Sequence, residues 1–427
     1  MWLPDETCEL GVGWERIIFD WMQHQPDDAE QWHTLNVDDR WLKNANLCNR
    51  EIVALLKVTP PWATEGQAGI GIPLGLDLPI NDPHNTWAQF VIKAVTYYQP
   101  RGVSHFIIWN EPDIQAGTYG YEFDGDLEAY FQLLKVAYLA AKSVNPSAKI
   151  HLAGTTYWHD VNEGQLPYME RLIARILEDT DAVEHDYYFD VASLHIYFRS
   201  DTVYTITRSL RDFLDSHGLN HKEIWINETN AAPTDDPNWP VDRPVFQLDL
   251  NQQAQFLVQA AALSIASGAD RVAAYKLIDQ GLPEGAESFG ILTPGSYEPR
   301  PAYFAWQMLN DHFQNLEAAQ YLKSKYISAV LFKHLNGTHS LMLWANTEQA
   351  ASLDLYTDAS KIYQLSLNDN LTIVRPSPDF YNFSLPPAQC TDKDGCFIGG
   401  DVLILYLVGS IEKLVDHTES PSLLDVP

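Results

Sequence analysis

Two apolar segments of this chain each run into a glutamate. One is Phe106-Ile107-Ile108-Trp109-Asn110-Glu111-Pro112-Asp113, the other Ile224-Trp225-Ile226-Asn227-Glu228-Thr229-Asn230. Proline cannot donate to a strand ladder, so Pro112 marks the carboxyl end of the first strand. Trp109 half shields Glu111, and shielding raises a carboxyl pKa, which is what a general acid near neutral pH requires. The second segment again delivers a carboxylate at a strand end. Two such carboxylates are the minimum equipment for glycoside hydrolysis: one protonates the leaving oxygen, the other attacks the anomeric carbon or activates water. Asn227-Glu228-Thr229 also spells a glycosylation sequon, but at a strand end in a barrel mouth it would be poorly accessible.

The elements that must position these groups are legible as a repeat. Short, near-continuously apolar runs occur at WERIIFD (14–20), IVALLKVT (52–59), HFIIWN (105–110), KIHLAGT (149–155), VASLHIY (191–197), EIWINE (223–228) and RVAAYKLI (271–278). Parallel strands covered on both faces read this way. Helical patterns fill the gaps. One spans about 126–145, with Asp124 or Asp126 as N-cap and Asn145-Pro146 as its stop; another spans about 251–267 and ends at Gly268. Such alternation predicts a parallel α/β domain, and in a (β/α)₈ barrel catalytic groups sit at the carboxyl ends of the strands. Two strand candidates lie between those bearing Glu111 and Glu228, so the pair falls on strands n and n+3.

After about residue 315 the pattern changes to short strands separated by turn residues, including Asn336-Gly337 and Gly399-Gly400, which reads as an antiparallel β-sandwich. The expected organisation is a barrel domain over 1–314, a β-sandwich over 315–412 and a loosely ordered polar tail over 413–427.

Composition narrows the partners. The 427 residues exceed one ordinary core. A formal net charge of −30 argues against nucleic acid. The 13 tryptophans suit stacking on the apolar faces of sugars, and equally suit a core. Four cysteines are too few for a disulfide scaffold; Cys390 and Cys396 are close enough to pair, with free thiols the equal alternative. No run is long and apolar enough to span a bilayer, so no membrane partner is expected, and MWLPDETCEL shows no signal-peptide pattern. No Gly-rich phosphate loop follows a strand. His195-Ile196-Tyr197 offers one good metal ligand and no His-x-His stands on an early strand, so neither a metal nor another cofactor is called for.

Trp109-Asn110-Glu111-Pro112 resembles the Asn-Glu-Pro signature of glycoside hydrolase clan A, the retaining barrel enzymes with the acid/base at the end of strand four and the nucleophile at the end of strand seven. Within the clan the chain looks closest to the family of β-xylosidases and α-L-iduronidases. The residues that carry this are Thr59-Pro60-Pro61-Trp62-Ala63, Trp14-Glu15-Arg16, His195-Ile196-Tyr197 and Phe289-Gly290-Ile291-Leu292. The chain departs from the clan in carrying Tyr275-Lys276-Leu277 where a tryptophan is common. The resemblance implies Glu111 as acid/base, Glu228 as nucleophile and a glycoside or oligo- or polysaccharide substrate. It implies that Asn110 binds the sugar 2-OH, that Tyr197 donates to the nucleophile, that His195 lines the site near the acid/base, and that Arg16 keeps Glu228 charged. Trp62 and Trp239 are candidate sugar platforms, Trp239 in the loop 233–240. The alternatives are an endo-acting glucanase or mannanase of the clan, and a carbohydrate-binding barrel without turnover.

With Glu111 on strand four, WERIIFD is strand two. Residues Asp5 to Leu10, then Gly11, read as a helix end with a glycine stop. The chain is therefore expected to open inside the first βα unit, with seven barrel strands and the first one missing.

Overall fold

The computed structural model describes residues 3–244, 246–375, 380–390 and 396–424. Seven strands form one parallel sheet in sequence order: β1 (Trp14–Asp20), β2 (Glu51–Lys57), β3 (Val103–Ile108), β4 (Lys149–His151), β5 (Val191–Tyr197), β6 (Glu223–Asn230) and β7 (Arg271–Ala274). These are the seven runs read from the sequence. Pro4–Glu9 is a helix, and Gly11 takes φ 65° behind it, so the described residues before β1 supply no strand to this sheet. The chain divides into two compact units, Trp2–His195 with Leu210–Asn227, and Ile196–Ser209 with Glu228–Pro427, so that β5 and β6 each pass from one to the other.

In the first unit β1 pairs with β2 along its whole length. Ile52 to Leu56 are all buried, as a strand covered on both faces requires. Val53, Leu55, Ile107, Val191 and Trp225 form one buried apolar cluster with Trp14 packed on it. The Leu127–Val144 helix begins where Asp126 accepts a hydrogen bond from Ala129 N and stops before Pro146; its Tyr130, Phe131, Leu134 and Ala141 are buried. Cys8 and Cys48 form a disulfide that joins the Pro4–Glu9 helix to the Asp39–Leu47 helix. Its closed loop of about 40 residues is worth roughly 3–4 kcal/mol through the unfolded state. Beside it the buried Arg50 guanidinium donates to Glu15 Oε1 at 2.9 Å, while burial, set against that arginine, holds the Glu15 carboxyl above its usual range.

In the second unit the Leu250–Ala266 helix carries a full capping box on Asp249 and Gln252, and Gly268 follows it at φ 96°. Beyond the Pro301–His312 helix the chain is antiparallel sheet. β8 (Leu316–Lys323), β9 (Ile327–His334), β10 (His339–Ala345), β12 (Ile362–Leu365), β13 (Leu371–Val374) and β15 (Leu403–Leu407) make a six-stranded sheet. β11 (Ala351–Thr357), β14 (Tyr381–Leu385), β16 (Ile411–Asp416) and β17 (Ser422–Leu424) make a four-stranded one. Leu341, Leu343 and Leu405 of the first and Leu353, Leu355, Phe383 and Leu414 of the second share one apolar cluster.

One expectation needs correction. Residues from 413 onward are not a loose tail throughout: β16 pairs with β11, and β17 pairs with β16. Leu414 and Leu424 enter the apolar cluster, each burial being worth about 1.5–3 kcal/mol; residues 425–427 lie outside the described residues. Of the two states left open for Cys390 and Cys396 the disulfide is the one found, and Cys8 pairs with Cys48. No helix among the described residues is long and apolar enough to cross a membrane.

Candidate active site

In the first unit, β3 ends at Ile108 and the backbone turns sharply. Trp109 and Glu111 take φ of 67° and 42°, left-handed conformations that cost non-glycine residues about 1–3 kcal/mol each and persist only where the surroundings over-determine them. Here they do. Trp109 N donates to Leu56 O at 3.0 Å and Glu111 N to Gly154 O at 3.1 Å, Trp109 Nε1 donates to Glu122 O at 2.8 Å, and the Tyr130 hydroxyl donates to Ile108 O at 2.8 Å. Asp113 closes the turn, its Oδ2 accepting from Thr156 N at 2.8 Å and Thr156 Oγ1 at 2.6 Å. Burial pushes the Asp113 carboxyl up, and the nearby Glu111 charge adds to the effect.

The Glu111 carboxyl meets His195, whose Nδ1 lies 2.6 Å from Oε1. His195 is 1% exposed and stands on β5 two residues before Tyr197. Gly154 makes room for it: a Cβ at that position would overlap the imidazole. One glycine thus accepts the Glu111 amide and clears the space for the ring that bonds the Glu111 carboxyl. Gly154→Ala is expected to displace the imidazole and lower kcat/KM by about 10-fold or more, the size of a lost charge-assisted hydrogen bond. In a His195→Ala background the overlap is gone, and the same substitution should change kcat/KM by less than about 2-fold. Equal losses in both backgrounds would place Gly154 in a purely structural role.

Asn110 is held from two sides. Its Oδ1 accepts from Arg16 NH1 at 3.1 Å, and its Nδ2 donates to Glu122 Oε2 at 3.0 Å. The structure therefore brings Arg16, Asn110, Glu111 and His195 together in this unit. Trp62, in the turn Pro61–Ala63, is half-buried, donates Nε1 to Gln25 O at 2.7 Å and packs edge-on against Trp21.

In the second unit the Tyr197 hydroxyl donates to Glu228 Oε2. Glu228 is 6% exposed. The Tyr197 ring lies edge-on to Tyr275 and Phe289, with centroids 6.0 and 5.2 Å away. Asn230, farther along β6, ties this aromatic wall in place by donating Nδ2 to the carbonyls of Tyr275 and Phe289, each at 2.7 Å. Trp239 is half-buried and donates Nε1 to Ala286 O at 2.8 Å. Its loop is anchored by an ion pair, Arg300 with Asp236 at 2.8 Å, both side chains 1% exposed. Burial lowers the Arg300 pKa, and Asp236 opposes the shift. Asn227 is 2% exposed, so its side chain in the sequon is shut off from solvent.

Sequence reasoning passed over Gly154, Glu122, Lys57, Asn230 and the Asp236–Arg300 pair. Gly154 left a signal, as a glycine at the end of the KIHLAGT run. Glu122 left none, because it lies in a loop whose path the pattern does not specify. His195 and Glu111 have donor atoms suited to a metal, but the pair is already hydrogen-bonded to each other.

No family model matches the chain, and no curated protein is similar to it in sequence. Solved structures are similar in fold. A family 39 glycoside hydrolase from the gut symbiont Bacteroides cellulosilyticus WH2 aligns with a TM-score of 0.70 at 15% identity, covering 95% of this chain and 77% of that one. A β-xylosidase from Caulobacter crescentus CB15 aligns at 0.59 and 13% identity, covering 95% and 92%. A family 30 endoxylanase from Clostridium papyrosolvens C71 aligns at 0.60 and 12% identity, covering 94% and 90%. The fold of this chain is the one these glycoside hydrolases share, as the clan A resemblance of its strand-end motifs implies.

Proposed function

We propose that the chain is a retaining glycoside hydrolase, a β-xylosidase-like exo-glycosidase, with Glu111 as acid/base and Glu228 as nucleophile. Residues 1–314 would form the catalytic (β/α)₈-type domain and 315–412 the sandwich. The observation that carries the reading is the unlike partnering of the two carboxyls. Glu111 faces an imidazole nitrogen at 2.6 Å, an atom that can donate to a carboxylate or accept from a carboxylic acid according to the tautomer. A carboxyl that must give a proton in one step and take it back in the next is served by such a neighbour. Glu228 faces a phenol whose hydroxyl donates to it and holds the carboxylate in one rotamer.

In the first step Glu111 protonates the leaving oxygen while Glu228 attacks the anomeric carbon. In the second Glu111 takes a proton from water as it displaces Glu228. Asn110, fixed by Arg16 and Glu122, presents its remaining amide hydrogen to a sugar hydroxyl. Trp62 and Trp239 are proposed as sugar-stacking walls, and Arg16 as a charge near the nucleophile. The two disulfides fit an oxidising compartment.

The test is a panel of 4-nitrophenyl glycosides with the first-formed anomer read by proton NMR. The expected result is hydrolysis of the β-xyloside with β-xylose appearing first. An α-anomer appearing first would mean inversion, and inertness across the panel would favour the carbohydrate-binding reading. Activity confined to internal bonds of long glucans or mannans would favour the endo-acting alternative.

A further inference from the structure

Glu122 lies in the loop that follows Glu111, and this loop is pinned where it passes the catalytic turn. The Glu122 carbonyl accepts Trp109 Nε1 at 2.8 Å. Its Oε2 accepts Lys57 Nζ at 2.6 Å and Asn110 Nδ2 at 3.0 Å. Nearby, a Cβ on Gly120 would come within 4.0 Å of Glu111 Oε2, so the loop runs beside the acid/base carboxyl itself. The Glu122 side chain is one-third exposed, and its other oxygen, Oε1, accepts no hydrogen bond from the described residues.

We propose that Glu122 is a substrate-binding residue: Oε1 accepts a hydrogen bond from a hydroxyl of the sugar ring held against Glu111. This rests on the glycosidase reading. Lys57 Nζ and the Asn110 amide both donate to Oε2, which fixes the carboxyl group and leaves Oε1 to the substrate. Asn110 Oδ1 faces the Arg16 donor and one Nδ2 hydrogen faces Glu122, so the amide has one orientation and one spare hydrogen. An acceptor carboxylate beside a donor amide matches two neighbouring hydroxyls, one giving its proton to Glu122 and the other accepting from Asn110. The ligand class is a sugar with free vicinal hydroxyls. A ring carrying an ether at the position facing Glu122 has no proton to give, and it leaves a charged acceptor unpaired, the kind of mismatch that discriminates most strongly.

The experiment crosses Glu122→Ala and Glu122→Gln with substrates that lack single hydroxyls. The probes are the 4-nitrophenyl β-xyloside and its 3-deoxy and 4-deoxy analogues, each followed by kcat/KM, with thermal unfolding as the check on folding. On the parent substrate Glu122→Ala should lose about 10- to 100-fold, the range for a hydrogen bond to a charged group, and Glu122→Gln should fall between it and the wild type. On one deoxy analogue the wild type should be impaired to a similar extent, and Glu122→Ala should cost little more, because the partner is already missing. A loss equal on all three substrates would assign Glu122 to holding Asn110 alone and overturn the proposal. So would wild-type rates in both variants. A wild-type protein inert on the whole glycoside panel would overturn the glycosidase reading, and this inference with it.

Discussion

Glu228→Ala is expected to abolish turnover, with kcat down by roughly four orders of magnitude or more, in line with the removal of other enzymic nucleophiles. Without the carboxylate no covalent glycosyl-enzyme forms, and no neighbour replaces it: the Tyr197 hydroxyl that faces Glu228 is a donor in this arrangement. The substitution takes the Glu228 acceptor from that half-buried hydroxyl, at a cost of about 1 kcal/mol. The chain should therefore still unfold cooperatively, slightly below the wild-type temperature, which separates lost chemistry from lost structure. Azide supplied from solution can occupy the vacated place and attack an activated aryl glycoside directly, giving a glycosyl azide of inverted configuration. Activity within 100-fold of wild type, or a retained azide product, would remove Glu228 from the nucleophile role.

The parts of this arrangement legible in the sequence are those fixed by strand geometry. Glu111, Glu228, His195 and Tyr197 stand in or just beyond apolar runs that end at turn signals. Side chains alternate along a strand, so His195 and Tyr197, two apart on β5, share a face. All seven runs became strands of one sheet in sequence order. What stayed hidden depends on approach between segments distant in sequence. Cys8 and Cys48, 40 residues apart, meet only because two helices flank β1 and β2. Gly154 matters because of a ring on the next strand, and Glu122 because a loop of unpatterned sequence doubles back to Asn110. The end of the chain misled for a related reason. Glu412, Lys413 and Ser422 are exposed, and single leucines, Leu414 and Leu424, do the anchoring. So sparse an apolar signal reads as tail unless a partner strand is known.

Glu111→Ala is expected to fail at a different step. An aryl glycoside with a good leaving group, such as a 2,4-dinitrophenolate, needs little protonation to depart, so Glu228 should still be glycosylated at a rate near wild type. The second step should collapse, because water must then attack without a general base, an effect of about 10²- to 10⁴-fold. The glycosyl-enzyme should accumulate, visible as a burst of phenolate equal to the enzyme present and as a mass increment on the protein. Azide needs no deprotonation. It should restore turnover by attacking the intermediate from the side that Glu111 vacated, and two inversions at carbon give a glycosyl azide of retained configuration. On substrates with poor leaving groups the same variant should be nearly inactive, and azide should not help, since their slow step is the first. His195 loses its carboxyl partner in this variant, and a second substitution there should add little to the Glu111→Ala defect if the ring acts through Glu111. An azide product of inverted configuration from Glu111→Ala would exchange the two roles, leaving Glu111 as the nucleophile and Glu228 as the proton carrier.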